Sequence, residues 1–331
     1  MTLKLGWIGC GTHATQMLLA QWLRLDVEIA ALCDSSPERL ARAGAQFGVR
    51  RLTTDADELL AMADLQAIGM AVGPSQHLEF GLKALERGLP VFMEKPPAGD
   101  AAGARRLLEA SQASGKPVVV GFMKRYSVGN RIASNVLTSG RFGRVLGLSA
   151  SYMTAPGYFA GNVDYSGFFL HHCVHYMDLA AHLVSPIKAL SARKVEASPG
   201  RLLFHVALDF DCGAIGTIVM GTMQSRGTPC ERIELMGDHT RLEIDDVVEV
   251  KFHRNPPFKT DDAAATLADE VDTLTWKPNF TAAANEDHKG YLALLADAVT
   301  TLAGGASKAP TIADGVVAMQ WLERLRASLQ L

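Results

Sequence analysis

Leu3-Lys4-Leu5-Gly6-Trp7-Ile8-Gly9-Cys10-Gly11-Thr12-His13-Ala14 is the stretch on which the reading of the chain turns. The apolar run Leu3–Ile8 reads as a short strand, and Thr15–Leu25 carries apolar residues at helical spacing. Between them lies a G-x-G-x-x-A turn. Its first glycine permits a tight bend, its second lets the backbone approach a pyrophosphate, and a small third residue lets helix and strand pack closely. The start of the helix adds unpaired N–H groups and the positive end of a dipole. Two glycines alone specify only a turn, so the context decides. Asp34 supplies it, because it follows the next strand, Val27–Cys33, where a carboxylate can accept hydrogen bonds from an adenosine ribose.

Together these residues read as a dinucleotide site, with Gly9, Cys10, Gly11, Thr12, His13 and Ala14 along the turn and Asp34 and Ser35 at the ribose. A carboxylate at position 34 repels the 2′-phosphate of NADP, which makes NAD the expected cofactor. Arg39, one turn on, keeps NADP possible. Asp34 also reads as a cap for the helix beginning at Pro37, a job that Ser35 or Ser36 can do instead. His13 reads equally as a cofactor contact or as a loop histidine facing solvent.

Strand and helix patterns alternate to about residue 120. Pro37–Phe47, Gln76–Arg87 and Asp100–Ser114 read as helices, and Leu65–Val72, Pro90–Met93 and Val118–Gly121 as strands. Such alternation with short loops predicts a parallel sheet covered on both faces. After residue 140 the strands crowd together: Val145–Tyr152, Ala189–Glu196, Leu202–Phe210, Ala214–Thr222, Arg232–Met236, Thr240–Ile244 and Val247–Phe252. Their close spacing predicts antiparallel pairing. Phe169–Val184 reads as a helix, 254–284 as a long loop, and Glu286–Ala303 and Thr311–Ser328 as closing helices. The expected fold is an α/β Rossmann domain over residues 1–121. An α+β domain with a mainly antiparallel sheet is expected over 122–331, with the last helices able to pack back on the first domain.

Composition agrees with this plan. The 331 residues correspond to two domains at roughly 150 residues each. Lys plus Arg is 32 against 35 for Asp plus Glu, a formal charge of −3, which gives no reason to expect a nucleic-acid or membrane partner. With 48% hydrophobic and 20% charged residues, the chain can build a large core. Five scattered cysteines with no C-x-x-C read as reduced thiols of a cytoplasmic protein. The start of the sequence reads as a strand and not as a signal peptide, and no apolar stretch is long enough to span a bilayer.

Two loops at strand ends carry further candidates. Gly73-Pro74-Ser75-Gln76-His77 follows one strand and Met93-Glu94-Lys95-Pro96-Pro97 another. Open α/β sheets build their sites at such ends, and two prolines hold Lys95 on a stiff loop. From here the chain resembles the Gfo/Idh/MocA family of oxidoreductases, nearly end to end. The resemblance rests on the glycine turn, Asp34, Pro74 with His77, Glu94-Lys95-Pro96 and Val120-Gly121-Phe122-Met123-Lys124-Arg125-Tyr126. It continues through Ser139-Gly140-Arg141-Phe142-Gly143-Arg144-Val145, Val174-His175-Tyr176-Met177-Asp178, Gly290-Tyr291 and Thr311-Ile312-Ala313-Asp314-Gly315.

The resemblance implies hydride transfer between a nicotinamide and a hydroxyl-bearing carbon of a sugar, cyclitol, polyol or related cyclic compound. It makes Lys95 the residue that binds the reacting hydroxyl, His175 the general base, and the Lys95–Pro96 peptide cis. Pro74, His77, Glu94 and Lys95 would lie beside the cofactor. A homodimer or homotetramer would form through the open sheet of the second domain. One position departs from the family: many members carry Asp four residues before the histidine, and here it is His171.

At i and i+4, His171 and His175 share one helix face, with Asp178 nearby. Imidazole suits acid–base work near neutral pH, so His171 is read as contacting substrate and tuning His175 without replacing it. Asp178 either orients His175 or has a structural partner elsewhere. His172 points away and reads as a packing residue or a hydrogen bond to the sheet. Polar groove filling and zinc binding are competing readings of the histidines, and no metal is expected. Tyr152, Tyr158, Asn162 and Tyr165 read as a substrate wall, and Arg125 and Tyr126 either add polar contacts or, for Arg125, pin the domains. The competing functions are a glycosidase using NAD for transient oxidation and a non-catalytic ligand-binding regulator.

Overall fold

In the computed structural model, residues 2–155, 165–224, 229–254, 273–277 and 287–331 are described. They cluster into two units: Met1–Met123 with Gly290–Glu323, and Lys124–Lys289 with Arg324–Leu331.

The first unit is a Rossmann sheet. Its strands are β1 (Leu3–Ile8), β2 (Val27–Cys33), β3 (Leu52–Thr53), β4 (Ala67–Met70), β5 (Val91–Met93) and β6 (Val118–Val120). They run parallel in the order β3-β2-β1-β4-β5-β6. The order reverses beside β1, which opens a crevice at the strand ends where such sheets take their ligands. Under it lies an aromatic core: the Trp22 ring stands edge-on to Trp7 and Phe92 at 6.5 and 5.5 Å. A side chain at Gly69 would meet the Trp7 ring at 2.5 Å, so glycine there is what gives the indole its room. Trp7 Nε1 donates to the Gly9 carbonyl at 2.7 Å, which ties this core to the glycine turn.

Helix ends follow their local signals. Ser36 Oγ accepts from the Arg39 N–H and starts Pro37–Phe47, and Asp100 Oδ1 accepts from the Gly103 N–H and starts Ala101–Ser114. The first helix departs from expectation, since Ala14–Leu18 is a π turn that leads into the α-helix Leu19–Trp22. β3 and the helix Ala56–Leu60 were not foreseen, because elements of two and five residues are too short to show a period. Near the end of the chain, the Val120 N–H donates to the Pro310 carbonyl at 2.9 Å and Val119 bridges Thr311. The helices Tyr291–Leu302 and Ile312–Leu329 lie on either side of that bridge in sequence.

The second unit is built on β7 (Val145–Met153), β8 (Ile187–Ser198), β9 (Arg201–Phe210), β10 (Ile215–Gly221), β11 (Cys230–Gly237), β12 (Arg241–Asp245), β13 (Glu249–His253) and β14 (Thr273–Trp276). These eight make one sheet, β14-β13-β12-β11-β7-β10-β9-β8. Pairing is antiparallel except between β7 and β10, which run parallel because the helix Val174–Leu183 and the β8–β9 hairpin intervene in sequence. β14 falls within the stretch read as a loop, and 255–272 lie outside the described residues. β9 alternates, with Leu202, Phe204, Val206, Leu208 and Phe210 buried and the residues between turned to the open face. Phe168 and Phe169 pack on Phe204 at 6.1 and 5.7 Å, seating the histidine-bearing helix on the covered face. Between Ser166–Phe168 and Val174–Leu183 it passes through a π turn, Phe169–Cys173, so the uniform α rotation behind a shared His171/His175 face does not hold there.

Candidate functional site

Gly9 has φ +97°, and a Cβ on it would meet the Ala71 carbonyl oxygen at 2.4 Å. Only glycine makes this turn. Beyond it opens a cavity of about 450 Å³ whose lining includes Gly9, Gly11, Thr12, Asp34, Ser35 and Arg39. Val72, Gly73, Gln76, Phe80 and Thr54 are also on its wall. Thr54 was missed because β3 was missed. Val72 and Gly73 lie at the turn before the helix and Gln76 and Phe80 follow it, but nothing in their order showed which way they face.

Asp34 Oδ2 accepts the Cys10 N–H at 2.7 Å. Its Oδ1 accepts the Ser36 N–H at 2.8 Å and Arg39 Nε and Nη2 at 3.1 and 2.8 Å. Burial alone pushes this carboxyl up, but the Arg39 guanidinium and the two backbone N–H groups outweigh it and hold it below its ordinary range. A carboxylate oxygen has two acceptor positions, and Oδ2 uses one of them for Cys10, which leaves room for a ribose hydroxyl. A Cβ on Gly11 would touch no protein atom within 4 Å, so the turn is open where a pyrophosphate has to approach. The residues fit a dinucleotide.

Cys10 and Ala14 do not line the cavity. Ala14 is buried, and burial pushes the Cys10 thiol up to about 12, so it stays a thiol. The His13 ring is half-exposed, with Nε2 3.6 Å from Glu94 Oε1 and the Tyr291 ring edge-on at 5.7 Å. Glu94, itself buried, accepts the Lys95 N–H at 3.2 Å. The Lys95–Pro96 peptide is cis, and Lys95 is half-buried between buried neighbours. Pro74 is the first residue of the helix Pro74–Glu86. His77, read as a cofactor neighbour, is instead fully buried: Nδ1 lies 2.8 Å from the Pro96 carbonyl and Nε2 accepts the Val72 N–H at 3.1 Å. Burial lowers its pKa to about 4, so the ring is neutral at physiological pH.

In the second unit, His175 is buried and His171 exposed. Arg125 Nε and Nη2 reach the two oxygens of Asp178 at 2.8 and 2.5 Å. Of the two readings of Asp178, a structural partner is therefore present, and the Arg125 fork faces a carboxylate of its own chain. A guanidinium on Asp178 also argues against that carboxylate joining a zinc site. Lys124 Nζ pairs with Glu231 at 2.5 Å and lies over the Tyr152 and Tyr176 rings at 5.6 and 5.5 Å. Tyr176 donates its hydroxyl to the same Glu231. Tyr152, read as a substrate contact, is buried with its hydroxyl 2.6 Å from His172 Nδ1. Of its two readings, packing or a hydrogen bond to the sheet, His172 makes the hydrogen bond, to Tyr152 of β7. Tyr165, read with the substrate wall, is buried, donates to Glu196 at 2.6 Å and accepts the Gly200 N–H. Tyr126 is half-buried, and Tyr158 and Asn162 lie outside the described residues.

A nucleotide crevice on a doubly wound sheet, followed by a unit with a one-faced sheet and a histidine-bearing helix, defines a two-part nucleotide-dependent protein. Residues 3–122 match the oxidoreductase-family model described as an NAD-binding Rossmann fold, and 135–330 match that family's C-terminal alpha/beta domain. The chain belongs to the Gfo/Idh/MocA oxidoreductase family, and its first domain is that family's NAD-binding domain. An inositol 2-dehydrogenase of Burkholderia cenocepacia (strain HI2424) is 36% identical over 155 residues, 46% of this chain and 46% of that protein. The match thus spans about half the length of such relatives. A dehydrogenase from Chromobacterium violaceum has the same fold, with TM-score 0.86 at 21% identity over 99% of this chain and 95% of its own. So does a levoglucosan dehydrogenase solved with NADH and levoglucosan, with TM-score 0.84 at 18% identity over 100% and 98% of the two chains. No helix among the described residues is long and apolar enough to cross a membrane.

Proposed function

We propose that the protein is an NAD-dependent dehydrogenase of an uncharged cyclitol, sugar or related polyol. The observation that carries this reading is Asp34, held as a carboxylate with an open acceptor position on the wall of the glycine-turn cavity. The inositol 2-dehydrogenase likeness supports a cyclitol as the first substrate class to test. Lys124 and Arg125 are each paired with a carboxylate of the chain, which favours a neutral substrate over an acid.

Bound NAD supplies the hydride acceptor. Thr12, Ser35 and Asp34 would hold its phosphates and adenosine ribose. The Lys95 ammonium donates to the oxygen of the reacting hydroxyl and favours its deprotonation. His175 takes the hydroxyl proton as the carbon–hydrogen bond breaks, and His171 contacts the substrate. A screen of inositols, sugars and hydroxy acids with NAD and NADP, followed by absorbance of the reduced nicotinamide, tests the reading. No net reduction with any of them overturns it, and cofactor cycling without net reduction is the signature of the glycosidase alternative.

Asp34 sets the cofactor. Asp34→Ala is expected to weaken NAD binding by about 1–3 kcal/mol, the usual result of leaving buried donors without their acceptor. It also frees the half-exposed Arg39 for a 2′-phosphate, so NADP should gain relative to NAD. Titration of both cofactors by fluorescence checks this, and a wild-type preference for NADP would contradict it.

The open face of the second sheet also supports self-association. Ile215, Val195 and Met236 are 66%, 67% and 37% exposed there, among small residues such as Ser149, Ala207 and Thr217. We expect a homodimer or homotetramer through this face, which Ile215→Glu should dissociate in sedimentation velocity.

A further inference from the structure

We propose that His77 is a positioning residue that sets the Lys95 loop against the wall of the cofactor cavity. Its ring joins two backbone points from different strand-end loops, Val72, which lines the cavity, and Pro96, which follows Lys95. The chemistry of the partners fixes the tautomer. A backbone N–H only donates, so Nε2 facing Val72 must be bare. The proton therefore sits on Nδ1 and is donated to the Pro96 carbonyl. A neutral imidazole has one donor and one acceptor, and both are used inside the fold. The side chain is 0% exposed, so it reaches cofactor and substrate only through those loops.

Lys95 needs this help. A lysine side chain is long and flexible, and a small displacement of its loop moves the ammonium by enough to lose alignment with a reacting hydroxyl. The first turn of the helix Pro74–Glu86 lies beside the cavity, whose wall includes Gly73 and Gln76, so His77 carries that position across to the lysine loop.

Two substitutions separate the two ends of the clamp. The amide nitrogen of Asn overlays Nδ1, and the amide oxygen of Gln overlays Nε2. His77→Asn keeps the bond to Pro96 and loses the one from Val72. NADH should bind about fivefold more weakly, with kcat within about threefold of wild type. His77→Gln keeps the Val72 bond and releases the lysine loop. Here kcat should fall about tenfold or more while NADH affinity stays within about twofold. A ring that merely fills space would give the same change in both variants, or none, and either result overturns the proposal. The kcat arm rests on Lys95 binding the hydroxyl. Should no polyol be oxidised, that functional reading fails by itself, and two measurements without substrate still decide the clamp. One is the NADH titration. The other is long-range nitrogen–proton NMR on histidine-labelled protein, where the signal lost in His77→Gln must show a protonated Nδ1 and a bare Nε2 from pH 7.5 to 5.5.

Discussion

Lys95→Ala is expected to lower turnover about a hundredfold or more, with NADH affinity almost unchanged, because acid–base and hydroxyl-orienting groups contribute on that scale to the chemical step. The lysine follows β5 on the loop closed by Pro96 and Pro97, and it is not among the residues lining the nucleotide cavity. Its removal should therefore appear in kcat and leave cofactor binding alone. His175→Ala should produce a loss of the same order, since nothing else in the proposal accepts the hydroxyl proton. His171→Ala should cost less than either, because the exposed ring at 171 is assigned to substrate contact. Steady-state kinetics on the best polyol, beside NADH titration of each variant, decides the matter. Turnover close to wild type in Lys95→Ala or His175→Ala would remove the mechanism.

Arg125→Met is expected to destabilise the protein by about 3–5 kcal/mol, the usual consequence of leaving one member of a buried ion pair behind. The side chains of Arg125 and Asp178 are 12% and 2% exposed, and the pair is bidentate, so the orphaned carboxylate would have little water to turn to. Urea unfolding at pH 7 measures the loss. The double variant Arg125→Met with Asp178→Leu should recover much of it, because an apolar pair of similar volume carries no desolvation penalty. If Arg125 instead served the substrate directly, the single variant would keep its stability and raise KM. The two roles predict opposite pairs of results.

The parts of the site that were legible in the sequence are those whose physics is local. The glycine turn needs φ +97° at Gly9, a small residue at Ala14 and a strand before it, all within twelve residues. Pro37–Phe47 and Val27–Cys33 begin and end where the pattern places them, because caps and apolar periods act over one or two turns. The π turns at Ala14–Leu18 and Phe169–Cys173 left no such mark. Neither did the two-residue β3, since a period needs length to show itself. The parallel pairing of β7 with β10 escaped the antiparallel expectation for a different reason. Spacing along the chain reports which strands are consecutive, not which become neighbours.

By itself, then, the sequence determined a doubly wound nucleotide domain and a second, mainly antiparallel sheet, and it pointed to NAD as the cofactor, which the family's NAD-binding domain bears out. Only the tertiary structure decided what the chemistry-bearing side chains hold. His77 has the right residue type for a cofactor contact, yet its nitrogens bind Val72 and Pro96, the latter 19 residues away. Arg125 has the right type for a substrate ligand, yet it meets Asp178, 53 residues away. Tyr152 has the right type for a pocket wall, yet its hydroxyl faces His172. A side chain's chemistry is fixed by its own atoms, whereas its partner is fixed by which distant segment folding brings within about 3 Å of it.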